Sequence, residues 1–157
     1  MNRIKPATPA LRIILFSLTV IFFTGCSNSP KEHLFKLDNS TRVYNNAFEG
    51  KSTSGGVKFV KKQMRQDYML RYVEFRDRVS INEAQSIDQT YLMDGKPVDL
   101  DPEDPDDELN FNEAVITMHY RMIKLPSTQL QDLIHKQHWY YDGKRWEIEP
   151  DLNPFLD

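Results

Sequence analysis

The sequence predicts an α+β domain in which two short N-terminal helices pack on a curved antiparallel sheet of about four to six strands. Helical spacing of apolar residues occurs between Asn39 and Gln66. Aromatic and β-branched residues dominate from Tyr68 onward. The pair Asp142-Gly143 lies between two aromatic segments and indicates a hairpin. Helices followed by paired strands are typical of an α+β domain.

Two helices are predicted before the strands. Asn39-Ser40 can cap the first, which runs to about Phe48 and carries its apolar residues on one side. The glycine-rich segment 50–56 interrupts the helical pattern. The second helix covers Val57 to Gln66, with apolar residues again sharing a face.

The remaining chain predicts strands. Residues 68–81 carry apolar side chains on both faces, which indicates a long, bent or bulged strand. Further strands are predicted at 85–93, 113–125, 128–141 and 144–149, and the strand at 113–125 shows the clearest alternation. A two-residue Asp142-Gly143 turn would place Trp139 opposite Trp146 on one face. The tail from residue 150 to 157 is expected to be irregular, with Phe155 packed against the body.

The N-terminus has the organisation of a secretory signal. Its only charged residues before Cys26 are basic, namely Arg3, Lys5 and Arg12. The apolar run from Ile13 to Thr24 is about a dozen residues long, and a bilayer span needs about 20. The run ends in Phe23-Thr24-Gly25-Cys26, which resembles the lipobox of a bacterial lipoprotein.

The resemblance implies cleavage before Cys26 and attachment of acyl chains, such as palmitate, to this residue. Cys26 is the sole cysteine of the chain, so lipidation would also remove an unpaired thiol from an oxidising compartment. Ser27 follows Cys26. Sorting rules for lipoproteins require Asp at this position for retention in the inner membrane, so its absence favours the outer membrane, facing the periplasm. Two or three acyl chains form a durable anchor, whereas one binds only marginally.

The domain organisation follows from these segments. We expect a signal peptide at residues 1–25, a lipidated tether at 26–38, the α+β domain at 39–149 and a C-terminal tail at 150–157. Without the signal, 17 basic residues stand against 23 acidic ones, a net charge of −6. This charge disfavours nucleic acid and anionic headgroups as partners, so the membrane would be contacted through the acyl chains on Cys26.

The predicted helices, long strands and final aromatic hairpin together resemble the nuclear-transport-factor-2-like superfamily, a cystatin-like α+β roll. The residues that carry this resemblance are Tyr44–Gly50, Val57–Met64 and the hairpin 139–146. A lipocalin-like barrel or another antiparallel meander with helices at one end is the alternative. The resemblance implies a cone-shaped pocket, in which enzymes of the superfamily place a His or Asp as general base.

Acidic residues are concentrated in the predicted loop at 97–110. Seven carboxylates lie within ten residues: Asp99, Asp101, Glu103, Asp104, Asp106, Asp107 and Glu108. The spacing lacks the glycine and glutamate of an EF-hand, and the prolines favour an exposed connector or an interaction loop over a Ca²⁺ site.

The histidines do not form a recognisable catalytic or metal site. His119 is expected on the more polar face of its strand with Arg121, and Tyr120 on the opposite face. His135 and His138 fall on opposite faces and cannot bind one metal ion together. The sequence contains no zinc-type spacing, phosphate-binding loop or Gly-x-Ser-x-Gly motif. We therefore predict no metal and no cofactor.

Two functions are compatible with these observations. The favoured hypothesis is a lipid-anchored, non-catalytic cell-envelope lipoprotein that binds a protein partner or a small ligand, with Cys26 as the lipid attachment site. The alternative is a small-molecule pocket enzyme of the roll superfamily that uses His119 as base. A Ca²⁺-dependent module that uses the acidic segment is the third and weakest idea.

Overall fold

The computed structural model describes residues 30–100 and 111–157. In these residues three helices lie against a five-stranded sheet. The helices are α1 (Pro30–Glu49), α2 (Arg65–Arg78) and α3 (Asn153–Leu156), and the strands are β1 (Val79–Met93), β2 (Lys96–Val98), β3 (Glu113–Lys124), β4 (Leu130–Tyr141) and β5 (Trp146–Glu149).

The strand order is β2-β1-β3-β4-β5, and every pair is antiparallel. Strand β3 occupies the centre, and the long strands β1 and β4 flank it. Alternate β3 residues such as Ile116 and Tyr120 are buried beneath the helices, as period-two alternation requires. The sheet is curled and carries its helices on one face, so the predicted α+β class is confirmed.

Helix α1 begins at Pro30 instead of Asn39. The segment 30–38, expected to be a tether, therefore forms the first half of this helix. Its buried residues Leu37, Thr41, Tyr44 and Phe48 recur every three or four positions and form one face against the sheet. Proline is tolerated in the first turn because its missing N–H would have no helical partner there.

The second helix lies further along the chain than predicted. Residues 57–64 contain two single 3₁₀ turns, Val57–Phe59 and Lys62–Met64, and α2 follows from Arg65, where a strand was expected from residue 68. The strand prediction for 68–81 was therefore wrong for residues 68–78, whereas residues 79–81 belong to β1. Tyr68, Tyr72 and Phe75 face the core at helical spacing, and α2 ends at Arg78.

The hairpin between β4 and β5 has the predicted faces but a different register. Trp139 lies opposite Ile148, and Tyr141 lies opposite Trp146. The loop Asp142–Arg145 is longer than a two-residue turn because the Asp142 carboxylate accepts hydrogen bonds from the backbone N–H groups of Lys144 and Arg145, both at 2.8 Å. The predicted pairing of Trp139 with Trp146 was therefore wrong, although both are fully buried on one face.

A true two-residue Asp-Gly turn occurs elsewhere, between β1 and β2. Met93 pairs with Lys96, and the intervening Asp94 and Gly95 have φ values of 51° and 77°. Positive φ at both positions is the signature of a type I′ turn.

The C-terminal segment is part of the core. Helix α3 holds Phe155 at 1% exposure, in edge contact with Phe48, Phe75 and Tyr120 at centroid distances of 5.2–5.5 Å. The predicted packing of Phe155 is confirmed, whereas the expectation of irregular chain throughout 150–157 was wrong. Aromatic side chains thereby fill the space between helices and sheet.

Candidate functional site

An open groove lies between the first turns of α1 and the inner face of β1. Its volume is about 310 Å³. We call it the α1–β1 groove, and its lining residues are Leu34, Phe35, Leu37, Asp38, Gln89, Tyr91 and Ile116. Such a volume accommodates a small apolar molecule or one or two side chains of a bound peptide.

The periodicities of the two elements create this groove. Leu34, Leu37 and Asp38 lie on one side of α1 because helical neighbours are three or four residues apart. Gln89 and Tyr91 share the inner face of β1, and Tyr91 Oη donates a hydrogen bond of 2.9 Å to Gln89 Oε1. The tyrosine ring also contacts Phe111 at 4.8 Å, so the base of the groove is held in place.

The rim combines apolar and acidic groups. Phe35 is 70% exposed, although a large aromatic side chain would normally be buried. Asp38 places a carboxylate beside the apolar surface. This chemistry suits an occupant with an apolar group next to a cation or a hydrogen-bond donor.

The first turns of α1, which form one wall of the groove, are attached to the hairpin end of the sheet. The His33 ring lies 4.5 Å from the Tyr141 ring and 4.9 Å from the Trp146 ring, and its Nε2 lies 2.9 Å from the carbonyl oxygen of Phe111. Desolvation among these groups lowers the pKa of His33 below 6.5. The neutral ring donating to the carbonyl is thus the favoured state.

Strand β1 leaves most of one edge without a strand partner among the described residues. Strand β2 pairs only with Tyr91–Met93, and Asp99 and Leu100 are no longer in strand conformation. The edge from Val79 to Thr90 is paired on its other side with β3. Register shifts at positions 82 and 87 interrupt this edge with bulges.

A second cavity of about 310 Å³ lies between α2 and the chain from Pro150 to the first residue of α3. Asp67, Tyr68 and Arg71 line one side, and residues 150–153 line the other. Arg71 hydrogen-bonds Asn153 across it. This hydrogen bond joins the two walls of the second cavity. In the α1–β1 groove, by contrast, the exposed side chain of Phe35 lies at the rim.

The interior beneath the helices is filled rather than open. Gln137 Nε2 donates to Asn45 Oδ1 at 2.7 Å and contacts Tyr120 Oη at 3.1 Å, and Trp139 Nε1 donates to Gln137 Oε1 at 3.3 Å. The adjoining cavity, which His135 also lines, measures only about 10 Å³, the space of a single water molecule. This buried cluster therefore joins the elements and leaves no room for a substrate.

His119 lies on the sheet face opposite the helices. Its Nε2 is 2.8 Å from Asp132 Oδ1, and the Arg121 guanidinium lies 3.9 Å from the same oxygen. Arg121 also donates to Glu83 at 3.2 Å. The prediction that His119 and Arg121 share a face is confirmed, and these exposed groups form a solvated ion cluster rather than a pocket.

The two histidines of β4 lie on opposite faces, as predicted. His135 lies opposite Met118 on the inner face, and its ring contacts Phe155 at 5.2 Å. Burial lowers the pKa of His135. His138 is exposed and lies opposite Val115 on the outer face.

Several predicted features lie outside the described residues. They are the signal peptide, Cys26 and the acidic segment apart from its first residues. Of that segment the structure describes residues 97–100, and it describes the chain again from Phe111. Within residues 30–100 and 111–157, no three His, Cys, Asp or Glu side chains are grouped as metal ligands would be. Among the same residues, no helix has the length and apolar character of a membrane span.

Sequence reasoning missed the α1–β1 groove. The small, polar and basic residues that open the segment 26–38 predict a tether, although its apolar pair Leu34-Phe35 belongs to helix α1. The available signal was the spacing of Leu34, Leu37 and Thr41, which continues the helical face of the following residues.

Comparison with known proteins gives a fold likeness alone. No protein-family model matches this chain, and no curated protein matches it. Among solved structures, the chain is similar to a SEC-C motif containing protein from Rhodopseudomonas palustris, with a TM-score of 0.50 and 10% sequence identity over 71% of this chain and 73% of the other. At this identity the likeness concerns only the arrangement of helices and strands.

Proposed function

We propose that this protein is a lipid-anchored, non-catalytic lipoprotein of the bacterial cell envelope that binds a protein partner through the α1–β1 groove. Acyl chains on Cys26 hold it in the outer membrane, facing the periplasm. The body is a variant of the nuclear-transport-factor-2-like roll with a filled interior. Anchoring is supported by the basic and apolar N-terminus that ends in Cys26.

The observation that supports binding rather than catalysis is the difference in volume between the cavity in the interior and the α1–β1 groove. Aromatic side chains and the Gln137 cluster occupy the space where a roll enzyme would hold its substrate, and the remaining cavity is about 10 Å³. The α1–β1 groove is about thirty times larger and opens beside the exposed Phe35. Nothing in the geometry favours the alternative with His119 as base, because this residue lies on the opposite sheet face.

Anchoring is tested by metabolic labelling of the full chain with radioactive palmitate in a Gram-negative host. We expect label in the wild-type protein and none in Cys26→Ser, which should also remain unprocessed. Equal labelling of the two proteins would refute lipid attachment at Cys26. Unaltered thermal unfolding of purified Cys26→Ser would show that the folded body does not depend on the anchor.

Partner binding is tested with a photoreactive residue at position 35 in intact cells. The matched control is position 70, because Phe35 and Leu70 are 70% and 69% exposed on different helices. We expect a discrete cross-linked species from position 35 and none from position 70. Identical products from both positions, or none from either, would contradict binding at the groove.

A further inference from the structure

Among residues 30–100 and 111–157, the part of the β1 edge that has no strand partner meets the α1–β1 groove at one strand position. Strand β2 follows the edge of β1 as far as Tyr91, where Val98 is its partner. The next inward-facing residue of β1 is Gln89, which lines the groove. A strand placed in line with β2 along Asp88–Thr90 would therefore direct its inward side chains into the groove.

The charges around this edge define what can occupy it. Asp38 lies at the groove, and Asp88 and Glu83 lie on the outer face of β1, opposite Thr117 and Arg121. Arg121 partly neutralises Glu83 at 3.2 Å. An added strand with basic residues facing outward would form favourable cross-strand pairs with these carboxylates.

The same charges disfavour two other occupants. A second copy of this chain, paired edge to edge, would bring the Asp88 and Glu83 carboxylates of both copies together, which is destabilising. In sequence terms, the carboxylates of segment 99–108 would be repelled by Asp88 and Glu83 for the same reason. With a net charge of −6 after loss of the signal, the whole body favours a basic partner.

The bulges limit the length of the contact. The bulge at residue 87 separates the regularly paired residues Asp88–Thr90 from residues 83–86, and the bulge at residue 82 separates residues 83–86 from the start of β1. Bulges interrupt the flat edge along which unrelated strands could otherwise pair. The regular part of the edge is thus short, and the groove must supply much of the binding energy through a buried apolar side chain.

We propose that the partner contributes a short, extended, basic segment that adds as a strand to the β1 edge, with an apolar side chain in the α1–β1 groove and Lys or Arg facing Asp88. This inference rests on the proposed function, and it names the chemistry and binding mode of the partner. Backbone hydrogen bonds to β1 would align the added strand, the apolar side chain in the groove would supply much of the binding energy, and the carboxylates would supply specificity.

The experiment uses the full chain in neutral detergent and a fluorescent ten-residue peptide that alternates Lys and Val. Two control peptides isolate the two parts of the proposal. One replaces Lys by Glu, and the other is methylated at alternate backbone nitrogens so that it cannot complete a ladder. We expect each control to bind at least tenfold more weakly. Hydrogen exchange should slow at backbone amides of residues 83–90 when the Lys–Val peptide binds.

Two substitutions test the assigned residues. Asp88→Lys should weaken binding of the Lys–Val peptide about tenfold, because it replaces attraction by repulsion across the strand pair. Phe35→Ala should weaken it severalfold through loss of apolar contact at the groove. The matched control is Asp77→Lys, since Asp77 is exposed in the last turn of α2, away from the groove.

Three results would overturn the proposal. Equal binding of the methylated peptide would mean that no strand is added. Equal effects of Asp88→Lys and Asp77→Lys would indicate unspecific attraction to an acidic protein. Concentration-dependent dimerisation that competes with the peptide would identify a second copy as the occupant. If these failures occur while palmitate labelling and the position 35 cross-link persist, the binding mode is wrong and the proposed function stands.

Discussion

Gln137 on β4 donates a hydrogen bond of 2.7 Å to Asn45 on α1, across 92 residues of sequence. The same amide group contacts Tyr120 Oη at 3.1 Å, and its carbonyl oxygen accepts the Trp139 indole N–H at 3.3 Å. Gln137 thereby fixes the distance between the first helix and the centre of the sheet. Burial raises the pKa of Tyr120, so the phenol stays protonated.

Replacing Gln137 by Leu should lower the free energy of unfolding by about 2–3 kcal/mol, because buried groups of Asn45, Tyr120 and Trp139 lose their partner. Urea unfolding measures this loss. The control is Gln85→Leu on the outer face of β1, where we expect a change within about 0.5 kcal/mol. Equal effects of the two substitutions would mean that the buried cluster does not stabilise the fold.

The attachment of α1 through His33 should depend on pH. Because burial lowers the folded-state pKa below 6.5, the contribution of neutral His33 to stability is complete above pH 6.5. It is lost as the pH falls from 6.5 through the folded-state pKa. We expect amides in the first turns of α1 to exchange faster at pH 5.5 than at pH 7.5, after correction for intrinsic rates.

The control for His33 is His33→Gln, which keeps a hydrogen-bond donor for the Phe111 carbonyl but does not titrate. The difference in stability between the two proteins should grow from pH 5.5 to pH 7.5 in favour of the wild type. A constant difference across this range would contradict a titrating contact at position 33. His135 has the same direction of shift and is present in both proteins, so its contribution cancels in the comparison.

Gly55 should tolerate no side chain. Its φ is +53°, and a Cβ would lie 2.5 Å from the Tyr72 ring. Gly55→Ala therefore combines backbone strain of about 1 kcal/mol with a steric clash. Gly95→Ala isolates the strain alone, since Gly95 has φ +77° and nothing within 4 Å of a Cβ. Thermal unfolding should show the larger loss for Gly55→Ala, and equal losses would argue against close packing at Tyr72.

Phe155 should be essential to the core despite its position near the C-terminus. Phe155→Ala removes a fully buried ring among aromatic neighbours and should cost about 3–5 kcal/mol of unfolding free energy. Phe35→Ala is the matched control, because the same substitution at a 70% exposed ring should change stability little. If the two variants unfolded alike, α3 would not be part of the cooperative unit.

The sequence predicted most strand faces because alternation survives changes in register. The inward side of β3 and the burial of Trp139 and Trp146 follow from period two, whichever residues lie opposite one another. The register of the last hairpin was not predictable from Asp142-Gly143 alone. At Asp94-Gly95 the same dipeptide forms the two-residue turn, whereas at Asp142 the side chain accepts two backbone N–H groups and enlarges the loop.

Helix α2 and the groove were missed for a common reason. Tyr68, Tyr72, Phe75 and Val79 have high strand propensity, which outweighed their spacing of three or four residues in the prediction. Tertiary packing overrides such propensities when one face is buried. The groove forms where α1 meets β1, and the lining residues of the two elements are more than fifty positions apart in the sequence. No local sequence pattern indicates such a contact.

The start of α1 at Pro30 sets how far the body can move from the bilayer. With Cys26 acylated, as we propose, only residues 27–29 separate the anchor from the helix, and three residues span at most about 10 Å. The groove begins within about two helical turns of that point, roughly 6–12 Å along the axis. A partner strand must then be presented within a few nanometres of the lipid surface. A partner held in the same membrane would be met by a lateral search, and such confinement would raise the effective concentration of the two molecules without any additional contact.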